Sequence, residues 1–161
     1  MFSVPHLTLI TVIVVTFNVI GVFGNVNVII ATIRCSSLRT KAGYLMAILC
    51  CLQTICLVSE FANLRVYWRR MAMAQAVCFR MISVYLFSTI AQSLMYFMLS
   101  LDMLIAVAAP LKHRLWPTTP YVIVMCIPPA VIAGSAWTAS YLRSRSGDIT
   151  ACRPPTGRMV C

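Results

Sequence analysis

The chain has 161 residues, of which 61% are hydrophobic and only 10% charged, with a formal net charge of +10. A water-soluble domain carries about a quarter charged residues, and here the charges are gathered between four uncharged runs at 1–33, 42–59, 81–101 and 115–142. A bilayer span needs about 20 mostly apolar residues, so the class is an all-α, polytopic transmembrane bundle of four helices rather than a soluble core with polar outer faces.

The basic excess, 13 Lys and Arg against 3 acids, sits between the apolar runs. There it faces lipid headgroups, and nucleic acid is not expected as a partner. Of the eight cysteines, Cys50, Cys51, Cys56 and Cys126 fall inside the runs, where a thiol acts as a small hydrophobe. No CxxC pair occurs, and His6 and His113 lie on different runs, so neither a metal site nor a cofactor is expected.

The first helix is expected at about 7–33. It has no basic leader, and its apolar part exceeds the usual 7–15 or so residues of a signal peptide, so it reads as a retained span. Thr11, Asn18, Asn25 and Thr32 recur every seven residues, which places them on one stripe that should face other helices. "RCSSLRTK" then makes a short basic loop, and a second helix is expected at 42–59 with Gln53 inside it. "EFANLRVYWRRMAMAQAV" reads as a longer connection whose Tyr67 and Trp68 suit a membrane interface. The third helix is expected at 78–109. Pro110 should end it, and "LKHRLWPTTP" reads as a basic turn broken by two prolines. The fourth helix is expected at 121–141, kinked by Pro128 and Pro129, with 142–161 as a polar loop or tail.

Several short patterns fall in order: Gly24-Asn25, then "LRT" after the first helix, Cys78 opening the third, Asp102 near its end, and "LIAVAAPLKHR" beyond. This order resembles the first half of a rhodopsin-like G-protein-coupled receptor. "CFRMISVYLFSTIAQSLMYFMLSLDMLIAVAAPLKHR" and the later "CRPP" narrow the resemblance to nematode serpentine chemoreceptors of the srsx type. The chain would then be a partial seven-transmembrane receptor domain over 1–161, a fragment or truncated product with four of the seven helices.

The resemblance carries over residue by residue. Asn25 matches the first-helix asparagine, an intramembrane polar contact, although a bond to a backbone carbonyl would serve it equally. Gln53 stands where the family has an aspartate. Being neutral, it could bridge Asn25 but could not hold a cation by charge. Cys78 would form a disulfide with Cys152, or alternatively Cys161. Asp102 matches the acid of an Asp-Arg-Tyr triplet and would act as an activation switch, with Arg39, Lys41, Lys112 and Arg114 on its side of the membrane; a plain interfacial carboxylate is the other reading. Met103 and Leu104 depart from the triplet, and Met103 lacks the arginine that contacts the G protein. Tyr85, Thr89, Gln92 and Tyr96 share one helix face that would line a ligand cavity, a spacing that a packing face also has.

The implied function is chemosensory reception of an extracellular ligand, signalling through a heterotrimeric G protein. The implied setting is a plasma membrane, with the N-terminus outside and a receptor dimer possible in principle. Loop charge slightly favours the opposite orientation, because 65–70 and the tail hold more basic residues than the other two loops. The competing reading is a four-helix membrane scaffold, or a non-signalling remnant that modulates full-length receptors. No acid, base and nucleophile constellation can be assembled, so an enzyme is not expected.

Overall fold

The structure is a computed structural model, and it describes residues 4–69, 73–143 and 148–149. Its elements are α1 (Val4–Arg34), a 3-10 turn (Ser36–Leu38), α2 (Lys41–Arg69), β1 (Met73–Ala74), α3 (Gln75–Ala108), α4 (Pro110–Leu115), α5 (Thr118–Arg143) and β2 (Asp148–Ile149). Four segments are long and apolar enough to cross a bilayer: Thr8–Arg34, Lys41–Phe61, Ile82–Ala108 and Thr118–Leu142. The fold is therefore a helical, multi-pass membrane bundle. Among the described residues the sheet is a two-residue antiparallel pairing of β1 with β2, Met73 opposite Ile149 and Ala74 opposite Asp148.

α3 is the centre of the bundle, packed between α2 and α5, while α1 packs on the outer side of α2. The seven-residue stripe of α1 is the face that packs. Asn18 and Thr32 are buried and Thr11 and Asn25 half-buried, whereas Phe17, Phe23 and Ile33 are exposed where lipid would lie. Gly21 sets the approach of α1 to α2. A Cβ there would stand 2.8 Å from a methyl of Leu57, and small residues let apolar helices close in this way. α2 begins on a side-chain cap: the Gly43 amide donates to Thr40 Oγ1 at 3.1 Å, as expected for a threonine at the N-cap.

The best-packed core lies at one end of the bundle. Leu45 and Leu49 of α2, Met95, Met98 and Leu99 of α3, and Tyr121, Val122 and Met125 of α5 form it. At the other end an aromatic group fastens α3 to α5, with the Phe79 ring centre 6.2 Å from Trp137 and 5.9 Å from Tyr141.

Two sequence expectations change. α2 does not stop at residue 59 but continues to Arg69. The sequence turns polar at Glu60, yet residues 60–69 hold neither Gly nor Pro and are rich in helix formers, so the backbone ladder persists where the apolar pattern ends. The segment 111–120 is not a simple turn. Pro110 occupies the first turn of α4, a position that needs no amide hydrogen, and Thr118 already starts α5 with Pro120 in its first turn. α5 runs through Pro128 and Pro129 as one helix.

Candidate functional site

The site begins with the break between α3 and α4. Ala109 leaves helical geometry at φ −140° and ψ 63°, and Pro110 restarts the chain in a new direction. Eleven residues beyond Asp102, this reversal returns His113 to the helix it left. His113 Nε2 lies 2.9 Å from Asp102 Oδ1. Tyr121, in the first turns of α5, donates its hydroxyl to the same oxygen at 2.7 Å. Three elements thus converge on one carboxylate oxygen.

Asp102 lies near the end of the Ile82–Ala108 span and is 1% exposed, enclosed by the neighbouring helices. Among the described residues none of the basic side chains expected on its side of the membrane forms an ion pair with it. Arg39, Lys112 and Arg114 are exposed, and the Arg39 guanidinium donates to the Ile33 carbonyl. Lys41 does reach the cluster, but its ammonium donates to the backbone carbonyl of His113 and lies 5.1 Å from the centre of the Tyr121 ring. The Tyr121 ring meets His113 edge-on at 5.4 Å and stacks on Trp116 at 5.7 Å. As the Nε2–H tautomer or as imidazolium, His113 donates to the carboxylate, which suits a buried acid that must be hydrogen-bonded or paired. Sequence reasoning passed over both His113 and Tyr121. The available signal was Pro110, which forces the direction change that brings "KHR" back.

A second feature lies deeper in the bundle, between α1, α2 and α3. Gly21, Asn25, Gln53, Cys56, Leu57 and Gln92 line a cavity of about 270 Å³. The expected bridge from Gln53 to Asn25 is not made; the Gln53 amide donates instead to the Tyr96 hydroxyl. Cys56 Sγ lies 3.5 Å from Thr89 Oγ1, and Gln92 Nε2 approaches the same sulfur at 3.9 Å. Of the four face residues expected on α3, Gln92 therefore lines the cavity, while Thr89 and Tyr96 bond to α2 residues that line it. Tyr85 is half-buried one turn further along.

These two features fall on a sequence that matches, over residues 18–159, the family described as serpentine type 7TM GPCR chemoreceptor Srsx. The chain belongs to this chemoreceptor family. No curated protein matched it. The family match spans all four membrane helices apart from the start of α1, and it includes the Asp102 cluster and the cavity alike.

Other positions expected from the receptor resemblance are only partly placed. Cys78 lies in the first turns of α3, but its side chain, Cys152 and Cys161 lie outside the described residues. Met103 and Leu104 are exposed beside Asp102. Among the described residues no three His, Cys, Asp or Glu side chains are grouped as a metal site would need.

Proposed function

We propose that the protein is a chemosensory receptor in which an extracellular small molecule acts on the α1–α2–α3 side of the bundle and the Asp102 cluster is the part that changes state. The observation that carries this reading is the cluster itself. One buried carboxylate oxygen takes hydrogen bonds from α4 and α5 at once, so moving the end of α3 requires those bonds to break together. Within the membrane such an acid is functional by default.

In this reading the N-terminus and the loop after α2 are outside, and α4 faces the cytoplasm at the plasma membrane, where a heterotrimeric G protein would meet it. The exposed Met103 offers that partner an apolar contact in place of a charge. The pairing of β1 with β2 brings the chain just before Cys78 beside the chain just before Cys152, which supports a disulfide between them on the oxidising side.

The test is signalling by the full protein in cultured cells. Asp102→Asn keeps the size of the side chain but weakens the charge-assisted bonds, so ligand-independent G-protein signalling should rise several-fold over the parent. An unchanged baseline with unchanged ligand responses would remove the switch. Reporter tags in the 34–41 and 65–70 segments check the orientation: the first should be cytoplasmic, the second accessible from outside.

A further inference from the structure

Glu60 continues the cavity-lining face of α2. Gln53, Cys56, Leu57 and Glu60 follow the spacing i, i+3, i+4, i+7, so the carboxylate stands one turn beyond Cys56, on the side away from Asp102. The neighbouring helices bring two more polar groups to that level. α1 runs antiparallel to α2 and meets it at Gly21 and Leu57. Asn18 and Glu60 each lie three residues past that contact. On α3, Tyr96 pairs with Gln53 and Thr89 with Cys56; the next turn carries Tyr85, and the Glu60 carboxylate acts electrostatically on both Tyr85 and Cys56.

The groups at this level have unmet chemistry. Glu60 is half-buried and is the penultimate residue of the Lys41–Phe61 span, one turn beyond the cavity lining. Among the described residues the ion pair is that of Asp102 with His113, and none reaches Glu60. Asn18 is 2% exposed, with neither its side-chain oxygen nor its nitrogen hydrogen-bonded. A half-buried carboxylate at the end of a membrane span is stabilised by a cation, a buried amide oxygen needs a donor, and a phenol ring attracts positive charge. An ammonium group meets all three. A hard metal ion needs six or so oxygen ligands, and here one carboxylate faces neutral amides. An anion would be repelled.

We propose that the end of the α1–α2–α3 cavity is a binding site for a small organic ammonium ion, with Glu60 as counter-ion, Asn18 and Tyr85 beside it, and the neutral lining of Asn25, Gln53 and Gln92 receiving the rest of the molecule. This deepens the receptor reading, on which it rests, by naming the chemical class of the ligand.

Cys56 is a built-in reporter, because it lines the cavity one turn from Glu60. The full chain in lipid nanodiscs is treated with three methanethiosulfonates, bearing an ethylammonium, an ethylsulfonate or an uncharged methyl group. Modification at Cys56 is followed by peptide mass spectrometry, each rate being divided by that on a free thiol. The ammonium reagent should outpace the sulfonate by about tenfold, as one nearby charge at intermediate dielectric would give. In Glu60→Gln the ratio should fall towards unity while the neutral reagent keeps its rate, which shows that the bundle is intact. Phenethylammonium should slow the neutral reagent in the parent and not in Glu60→Gln. The proposal is overturned if the ratio survives Glu60→Gln, if no reagent reaches Cys56, if phenethylammonium gives no protection, or if sodium protects as well as phenethylammonium at equal concentration. Any of these outcomes leaves the signalling test of Asp102→Asn untouched, since that test assumes nothing about ligand charge.

Discussion

At the scale of single residues, Asp102 shows how a buried charge is made tolerable. Its Oδ1 has two donors, His113 and Tyr121. Tyr121→Phe deletes the hydroxyl but keeps the ring between His113 and Trp116. The loss should be about 1.5–3 kcal/mol, the worth of a hydrogen bond to a charged group, read as a lower unfolding midpoint in nanodiscs. His113→Ala should cost a similar amount. Because both act on one oxygen, the double variant should depart from the sum of the singles by about 0.5 kcal/mol or more. Additive losses would mean that the two bonds do not form one unit. Asn18 makes the opposite case. Both polar atoms of its buried amide are unpartnered, so Asn18→Leu should stabilise the bundle by about 1–3 kcal/mol, the usual penalty of a buried unsatisfied group. If the midpoint falls instead, the amide has a partner in the membrane.

At the scale of elements, the joints are set by a few small or rigid residues. Gly21 lies against Leu57, whose terminal methyl would have to shift for a Cβ. Gly21→Val should therefore push α1 off α2, at about 1–3 kcal/mol of overpacking, and loosen the cavity that Gly21 helps to line. Pro110→Ala should let α3 extend towards residue 113 and draw His113 away from Asp102. A spin-label distance between residues 100 and 114, both exposed, should lengthen, whereas an unchanged distance would show that Ala109 alone makes the break. The sequence was informative about these elements where one periodicity held throughout. The stripe of Thr11, Asn18, Asn25 and Thr32 named the packed face of α1 because a seven-residue repeat nearly closes two helical turns. It was uninformative where a helix outlives its apolar pattern, as α2 does beyond Glu60. His113 was illegible for a related reason: its proximity to Asp102 depends on a backbone reversal, and neither helix periodicity nor charge counting reports a reversal.

At the scale of the whole molecule, the two ends of the bundle differ in kind. The end with Asp102 holds the buried hydrophobic core and the hydrogen-bond cluster on its Oδ1. The middle and the other end hold the cavity, Glu60, which has no ion-pair partner among the described residues, and the aromatic clasp of Phe79, Trp137 and Tyr141. Such an arrangement suits a device with a firm base and a receptive upper half. The four spans were anticipated by the uncharged apolar runs, and the family match by the order of short motifs, each weak alone. What the sequence withheld was the division of labour among its two intramembrane acids. Asp102 is enclosed with two partners on one oxygen, while Glu60, placed by the sequence in a loop, stands at the end of a span with no ion-pair partner among the described residues.

The hydrogen bonds at Asp102 also bear on how the chain is made. Its partners lie 11 and 19 residues downstream, so the carboxylate need not wait for a distant helix. At ribosomal speeds of about 5–20 residues per second, roughly one to four seconds separate the emergence of Asp102 from that of Tyr121. The reversal at Pro110 lets His113 reach the acid sooner still. The third span can thus leave the insertion machinery with its charge already screened by its own following segment, before the fourth span is complete.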